Sequence, residues 1–418
     1  MENLLNVIQS ILGLGAVVIL PIMICALGLF FRMEFGAALK AGLLVGIGFS
    51  GLGLVIGLLM TSINPVVEYY QAFGSGFTVA DLGWAAVGAA SWTVPFAAIS
   101  VPLIIFTNII FLKLKLTKVM NVDIWNYIHF LVPGAMAYAL WDSFVIGLAL
   151  TVALSMVVLF LGQKAARNWA DYFGLEGTTC STLSFIAWVW PIAVLFNKII
   201  DKIPVVNKIE INMTKLGDKL GMFGDPAVVG MLVGAFLGII TKQNYKIVFT
   251  MAIGVSAVLI LIPRMVGFMM EGLSAIGTAT NAYMKKFLND ESNELHIGMD
   301  IALGLGDPGC ITVTMLTIPC VILMAFILPG LNYFPIGLLT GVCYTSPFMV
   351  MCSKGNLFRS FVCMVVFYAM TMMLANWFTP EATAMMRATG VEVTGMVTDG
   401  MFGLDPGCIA VGLINKIL

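Results

Sequence analysis

Long apolar runs separated by short polar breaks dominate the chain. Runs close to the roughly 20 residues needed to cross a bilayer cover 11–31, 36–60, 92–112, 143–162, 222–241, 246–263, 309–330, 333–352 and 358–377. A weaker run, 124–141, carries Asn126, His129 and Pro133. Two others, 175–197 and 395–415, are interrupted by Gly174-Leu-Glu-Gly-Thr-Thr and Gly403-Leu-Asp-Pro-Gly, and read as re-entrant hairpins. Segments 62–91 and 265–298 are too polar to cross, and Met265–Phe287 has the pattern of an amphipathic helix lying at the interface. Before the first run there is neither a basic stretch nor a cleavage motif, so 11–31 reads as a retained helix.

Composition agrees with this pattern. Of the 418 residues 60% are hydrophobic and only 10% charged, against about 25% charged in a soluble chain, and the mean hydropathy is +1.01. Such a chain cannot clothe a water-facing surface, which excludes a soluble enzyme, a nucleic-acid binder and a secreted disulfide scaffold. The 43 glycines and 16 prolines suit membrane helices, which tolerate both. With the N-terminus outside, all but four of the 21 Lys and Arg residues fall in inside loops; Lys242, Lys246, Arg387 and Lys416 are the exceptions. That bias follows the positive-inside rule. The eight cysteines form no CxxC pair and there are two histidines, so no metal site and no cofactor is expected. No Walker A sequence occurs, and no compact hydrophilic domain offers a phosphorylatable Cys or His, so no catalytic residue is assigned.

The chain also repeats itself. Ala16-Val-Val-Ile-Leu-Pro-Ile-Met-Ile-Cys-Ala-Leu-Gly28 resembles Ala227-Val-Val-Gly-Met-Leu-Val-Gly-Ala-Phe-Leu-Gly238, and the run opening Ala80-Asp-Leu-Gly-Trp resembles the one opening Met299-Asp-Ile-Ala-Leu. Phe196-Asn-Lys-Ile-Ile likewise echoes Ile414-Asn-Lys-Ile-Leu. The first copy holds five spans, an odd number, so the second is inverted in the membrane, as in many transporters. The expected fold is an all-α polytopic membrane protein of 10–11 transmembrane helices in two inverted five-helix repeats. Residues 1–197 form the first, 198–220 a basic cytoplasmic loop able to dock a soluble partner, and 221–418 the second.

Asp-Pro recurs at Gly224-Asp225-Pro226, Gly306-Asp307-Pro308-Gly309-Cys-Ile and Leu404-Asp405-Pro406-Gly-Cys-Ile. Asp is a strong N-cap and Pro suits the first helical position, so each motif starts a helix. A start inside the membrane offers free N–H groups and a positive dipole end to a ligand, and the carboxylate can accept two hydroxyls of a polyol. The alternative for each aspartate is a plain cap at the water boundary. Asn126 and His129, three apart, share one helical face and either bind sugar hydroxyls or pair between helices. The tip Glu176-Gly-Thr178-Thr179-Cys-Ser181-Thr suits polyol recognition, and equally ordinary turn capping.

These features together resemble the galactitol-type enzyme IIC permeases of the bacterial sugar phosphotransferase system, relatives of the ascorbate permease, over essentially the whole chain. The resemblance implies a bacterial inner-membrane homodimer set in lipid, in which a core domain moves like an elevator against a dimerising scaffold. It implies transport of galactitol or a related polyol coupled to phosphorylation by a separate IIB protein, recharged by IIA. Carried over, it groups Asp307 with Gly306 and Gly309, His129 with Asn126, and the Glu176–Ser181 tip around the sugar; Asp405 joins the candidate site from its Asp-Pro motif. Many members carry Gly-Leu-Pro-Gly and a following histidine at the hairpin tip; here Gly174-Leu-Glu-Gly stands without the histidine, which leaves the particular sugar open. The competing class is a proton- or sodium-coupled secondary transporter with Asp225, Asp307 and Asp405 as coupling carboxylates.

Overall fold

The computed structural model describes residues 16–72, 77–121, 123–211, 226–288, 295–391, 393 and 395–418. Asp225 lies outside them. The chain is mostly helical, and its first helices, α1 (Ala16–Phe30) and α2 (Phe35–Gln71), form an antiparallel pair. After β1 (Val79–Asp81) and α3 (Trp84–Ser91) come α4 (Ala97–Lys113), β2 (Val119–Asn121), a 3-10 turn Ile124–Tyr127 and α5 (Ile128–Trp141). Next are α6 (Phe144–Phe173), β3 (Thr178–Cys180), a π-helical turn Phe185–Val189 and α7 (Trp190–Ile200). The order then starts again with α8 (Pro226–Ile240), α9 (Tyr245–Leu288), β4 (His296–Met299) and a 3-10 turn Ile301–Gly306. It closes with α10 (Pro308–Ile327), α11 (Ile336–Cys352), α12 (Leu357–Trp377), α13 (Thr379–Ala388), β5 (Met396–Thr398), α14 (Met401–Leu404) and α15 (Pro406–Ile417).

Among the described residues, five helical stretches are long and apolar enough to cross a bilayer: Phe35–Val66, Phe144–Phe173, Tyr245–Leu273, Pro308–Ile327 and Leu357–Trp377. Their outward faces carry large apolar side chains such as Leu54, Val145, Phe249 and Ile327, each more than 60% exposed. Such a surface is stable against lipid and not against water. The chain is a multi-pass membrane protein.

Two segments differ from the sequence expectation. Residues 62–71 simply continue α2, and Met265–Leu288 continues α9 to 44 residues, so neither is a separate interfacial helix. The reason is packing between small residues, the usual glue of membrane helices. A side chain at Gly272 would come within 2.5 Å of the Ala41 carbonyl, and one at Gly234 within 2.6 Å of the Met251 carbonyl. α2 with α9, and α8 with α9, therefore touch backbone to backbone, and the polar ends of the long helices ride on that contact. The turns after α1 and α8 are built alike. Arg32 and Lys242 both adopt left-handed φ, 63° and 54°, and each donates its N–H back to the third residue before it, Leu29 and Ile239.

The strands tie the early chain to the late chain. β1 pairs in parallel with β5, Asp81 standing opposite Thr398, and β4 lies between β2 and β3. β1, β3, β4 and β5 each run directly into a short helical element, so four strand ends converge on the middle of the molecule.

Filling a backbone contact should cost far more than filling open space. Gly234→Val is expected to destabilise the fold by at least about 1–3 kcal/mol through overpacking. Gly36→Ala, where a side chain meets nothing within 4 Å, should stay within about 0.5 kcal/mol. Thermal melting in detergent compares the two.

Candidate functional site

The four strand ends surround a cavity of about 160 Å³. Most of its wall is apolar or aromatic, from Phe49, Trp84, Phe185, Leu338, Tyr344 and Leu404 among others. Its polar lining is Asn126, His129, Thr182, Asp300 and Asp399. Asp300 directly follows β4, and its Oδ1 accepts from the Ala302 N–H at 2.7 Å, capping the turn that follows. Its other oxygen accepts from Asn126 Nδ2 at 2.9 Å.

The Asn126 amide is oriented without ambiguity. Its Nδ2 lies 2.8 Å from Asp123 Oδ2 and 2.9 Å from Asp300 Oδ2; two carboxylates demand the donor side, which turns the amide oxygen away from them. Thr182 Oγ1 accepts from Asn126 Nδ2 and from the Ile301 N–H, both at 3.1 Å. Its hydroxyl also meets the Cys180 thiol.

A second chain sets the histidine. Ser184 Oγ donates to Asp405 Oδ2 at 2.7 Å, so its oxygen must accept from His129 Nδ1 at 2.7 Å. A proton is thereby assigned to Nδ1 from the network. The ring stacks on Trp84, centroids 5.7 Å apart, and meets Phe185 edge-on. Asp405 is fully buried and caps α15 through Gly407 and Cys408 N–H at 2.8 and 3.2 Å. It acts on the cavity through Ser184 and does not line it.

The residues expected from sequence thus separate. Asn126 and His129 line the cavity, and Asp405 stands behind His129. Asp307 caps α10 by accepting from the Gly309 N–H at 2.7 Å and meets the Tyr172 hydroxyl; Asp307, Gly306 and Gly309 are not among the lining residues. In the turn after α6, Glu176 is exposed. Thr178 donates to the Leu175 carbonyl and Thr179 to that of Gly162, each at 2.8 Å, and Ser181 donates to Asn121 Oδ1 at 3.2 Å. Those hydroxyls hold β3 in place. The sequence reading had not singled out Trp84, Thr182, Asp300 and Asp399; the one signal for Asp300 was its place beside Asp81 in the repeated run.

A largely apolar cavity with a few convergent hydrogen-bonding groups is the kind of site that takes a small polar solute, here within a multi-pass membrane protein. The chain belongs to the EIIC-GAT family, the sugar-specific permease component of the PTS system, whose family model matches residues 10–395. It is a sugar permease of the phosphotransferase system. It is 35% identical over 372 residues to the galactitol-specific EIIC component of Escherichia coli strain K12, covering 89% of this chain and 82% of that relative, and equally similar to its counterpart in Escherichia coli O157:H7.

Asn126 separates two acids, so its loss should be felt in stability before any ligand is added. Asn126→Ala leaves Asp123 and Asp300 without their shared donor and is expected to cost about 1–3 kcal/mol. Asn126→Asp, which sets three carboxylates together, should cost more. Melting curves of the three proteins in detergent at neutral pH check the order.

Proposed function

We propose that this chain carries galactitol or a closely related polyol as the IIC subunit, binding it in the cavity between Asn126, Thr182, His129 and Asp300. The observation that carries this reading is the mixed hydrogen-bonding set on the cavity wall, a hydroxyl, an amide and an imidazole from Thr182, Asn126 and His129. Each polyol hydroxyl both donates and accepts, and an array of both kinds suits it better than it suits an ion. The apolar wall around Trp84 and Phe185 suits the C–H edges of the carbon chain. Asp405 serves as a positioning residue through Ser184. Asp307 with Gly306 and Gly309, and the Glu176–Ser181 turn, are proposed to hold the helix start and the strand that frame this space.

The recurring order of elements, with the matched left-handed turns at Arg32 and Lys242, supports two inverted repeats whose broken segments meet at the sugar. The exposed apolar faces suit lipid and a second copy of the chain, in a bacterial inner membrane. IIB and IIA are the expected partners, with the sugar phosphorylated by IIB as it leaves the cavity. The basic stretch with Lys198, Lys202 and Lys208 is on hand to dock such a protein.

Uptake of labelled galactitol and a polyol panel, in cells expressing this chain with its IIA and IIB, tests the reading. Phosphorylated product that requires IIB and survives a protonophore is expected. Free sugar that accumulates without IIB and is lost with the protonophore would overturn it in favour of ion coupling. Thr182→Val, which removes a hydroxyl from the cavity wall, should weaken polyol affinity by roughly tenfold, the worth of about 1.4 kcal/mol.

A further inference from the structure

Asp81 and Asp399 meet at the seam between β1 and β5, one from each half of the chain, and the mechanism above uses neither. Asp81 spends its oxygens on backbone donors, accepting from the Gly83 N–H at 3.0 Å and the Gly337 N–H at 2.9 Å. Asp399 is 1% exposed, and its Oδ1 accepts from the Met401 N–H at 2.8 Å. Its Oδ2 faces the Asp81 carboxylate, and among the described residues it has no N–H or O–H donor. The two groups crowd one point. A methyl placed on Gly337 would stand 2.5 Å from Asp81 Oδ1 and 2.8 Å from Asp399 Oδ2.

Among the described residues neither carboxylate has a Lys or Arg partner. The other titratable groups close enough to act on the pair are the Tyr333 hydroxyl, in the segment before α11, and the Cys408 thiol of α15. Both are neutral at physiological pH. The remaining neighbours named here, Gly83 before α3, Gly337 on α11 and Met401 on α14, contribute backbone N–H groups alone. Two facing carboxylates, Asp399 buried and Asp81 half-buried, do not readily both ionise without a cation between them.

Asp300 makes the comparison plain. It follows β4 as Asp81 ends β1, and each accepts from the N–H two residues on. Asp300 then receives a side-chain amide from Asn126, whereas Asp81 faces a carboxyl. A carboxyl can play the part of that amide only when it carries a hydrogen.

We infer that Asp81 and Asp399 form a one-proton binding site in the wall of the cavity, with the Asp399 carboxyl donating its O–H to the Asp81 carboxylate and so holding the two halves of the chain together at the β1–β5 seam. Releasing that proton to water leaves two facing anions and opens the seam. The site stands or falls without any sugar, since its proton is bound in the empty protein.

Infrared spectroscopy and melting of the purified full chain in detergent, without sugar, test it. Wild type at neutral pH is expected to show a protonated-carboxyl carbonyl band that is missing from both Asp399→Asn and Asp81→Asn. Raising the pH should remove the band and lower the melting temperature of wild type in the same step. Asp399→Asn, whose amide donates to Asp81 at every pH, should lack that step. If Asp399→Asn does not fold, Asp81→Asn supplies the same subtraction. A wild type without the band at neutral pH, or a band retained in whichever of the two variants folds, overturns the proton site. Neither result depends on IIB-coupled uptake, so failure of the polyol reading is separately visible.

Discussion

Extended backbone within a membrane protein survives only where every N–H and C=O finds a partner inside the protein. That constraint organises this molecule. Each of its strands is only three or four residues long, and each pairs in parallel with a strand remote in sequence, β1 with β5 and β4 with both β2 and β3. Short strands cannot stand alone, so the early and late parts of the chain must close on each other before either satisfies its backbone. The cavity is the space left where the strand ends give way to helices. Its polar side chains, Asp300, Thr182 and Asp399, are the residues immediately after β4, β3 and β5, separated from those strands by no more than one position.

Much of this was legible in the sequence. Apolar runs at membrane length marked most of the long helices, and the two Asp-Pro-Gly-Cys-Ile elements marked helix starts at Asp307 and Asp405, where both side chains do cap. Asn126 and His129 stood out because polar groups are costly inside an apolar run. What stayed hidden depended on pairing across the chain. Nothing local distinguishes Asp300 or Asp399 from a loop acid, because their partners, Asn126 and Asp81, lie 174 residues and most of the chain away. The length of α9 was also invisible: its polar end reads as interfacial until the backbone contact with α2 is known.

The two acid-centred clusters show how different chemistry fills similar geometry. Around Asp300 the donors are neutral, an amide and a backbone N–H. Around Asp405 a hydroxyl links the carboxylate to an imidazole, which places a proton on Nδ1; Nδ1 and Oδ2 stand 3.9 Å apart with Ser184 Oγ at 2.7 Å from each. Both arrangements satisfy an acid with hydrogen-bond donors and without a Lys or Arg partner, and leave hydrogen-bonding groups on the cavity wall.

Capping and recognition are therefore not rival explanations for the aspartates. A helix that begins inside the protein must satisfy its first N–H groups, and a carboxylate does so with one oxygen. Asp405 gives Oδ1 to Gly407 and Cys408, and Oδ2 then orients His129 through Ser184. Asp300 gives Oδ1 to Ala302, and Oδ2 holds Asn126. Asp399 gives Oδ1 to Met401, and Oδ2 turns to Asp81. In each case the broken helix requires the acid, and the second oxygen, left over from that requirement, does the work at the cavity. Asp307 follows the first half of this pattern, with Gly309 capped, but its neighbour is Tyr172 and its place lies outside the lining. Two copies of one pentapeptide thus take different roles because the Asp405 carboxylate reaches Ser184 and the Asp307 carboxylate reaches Tyr172.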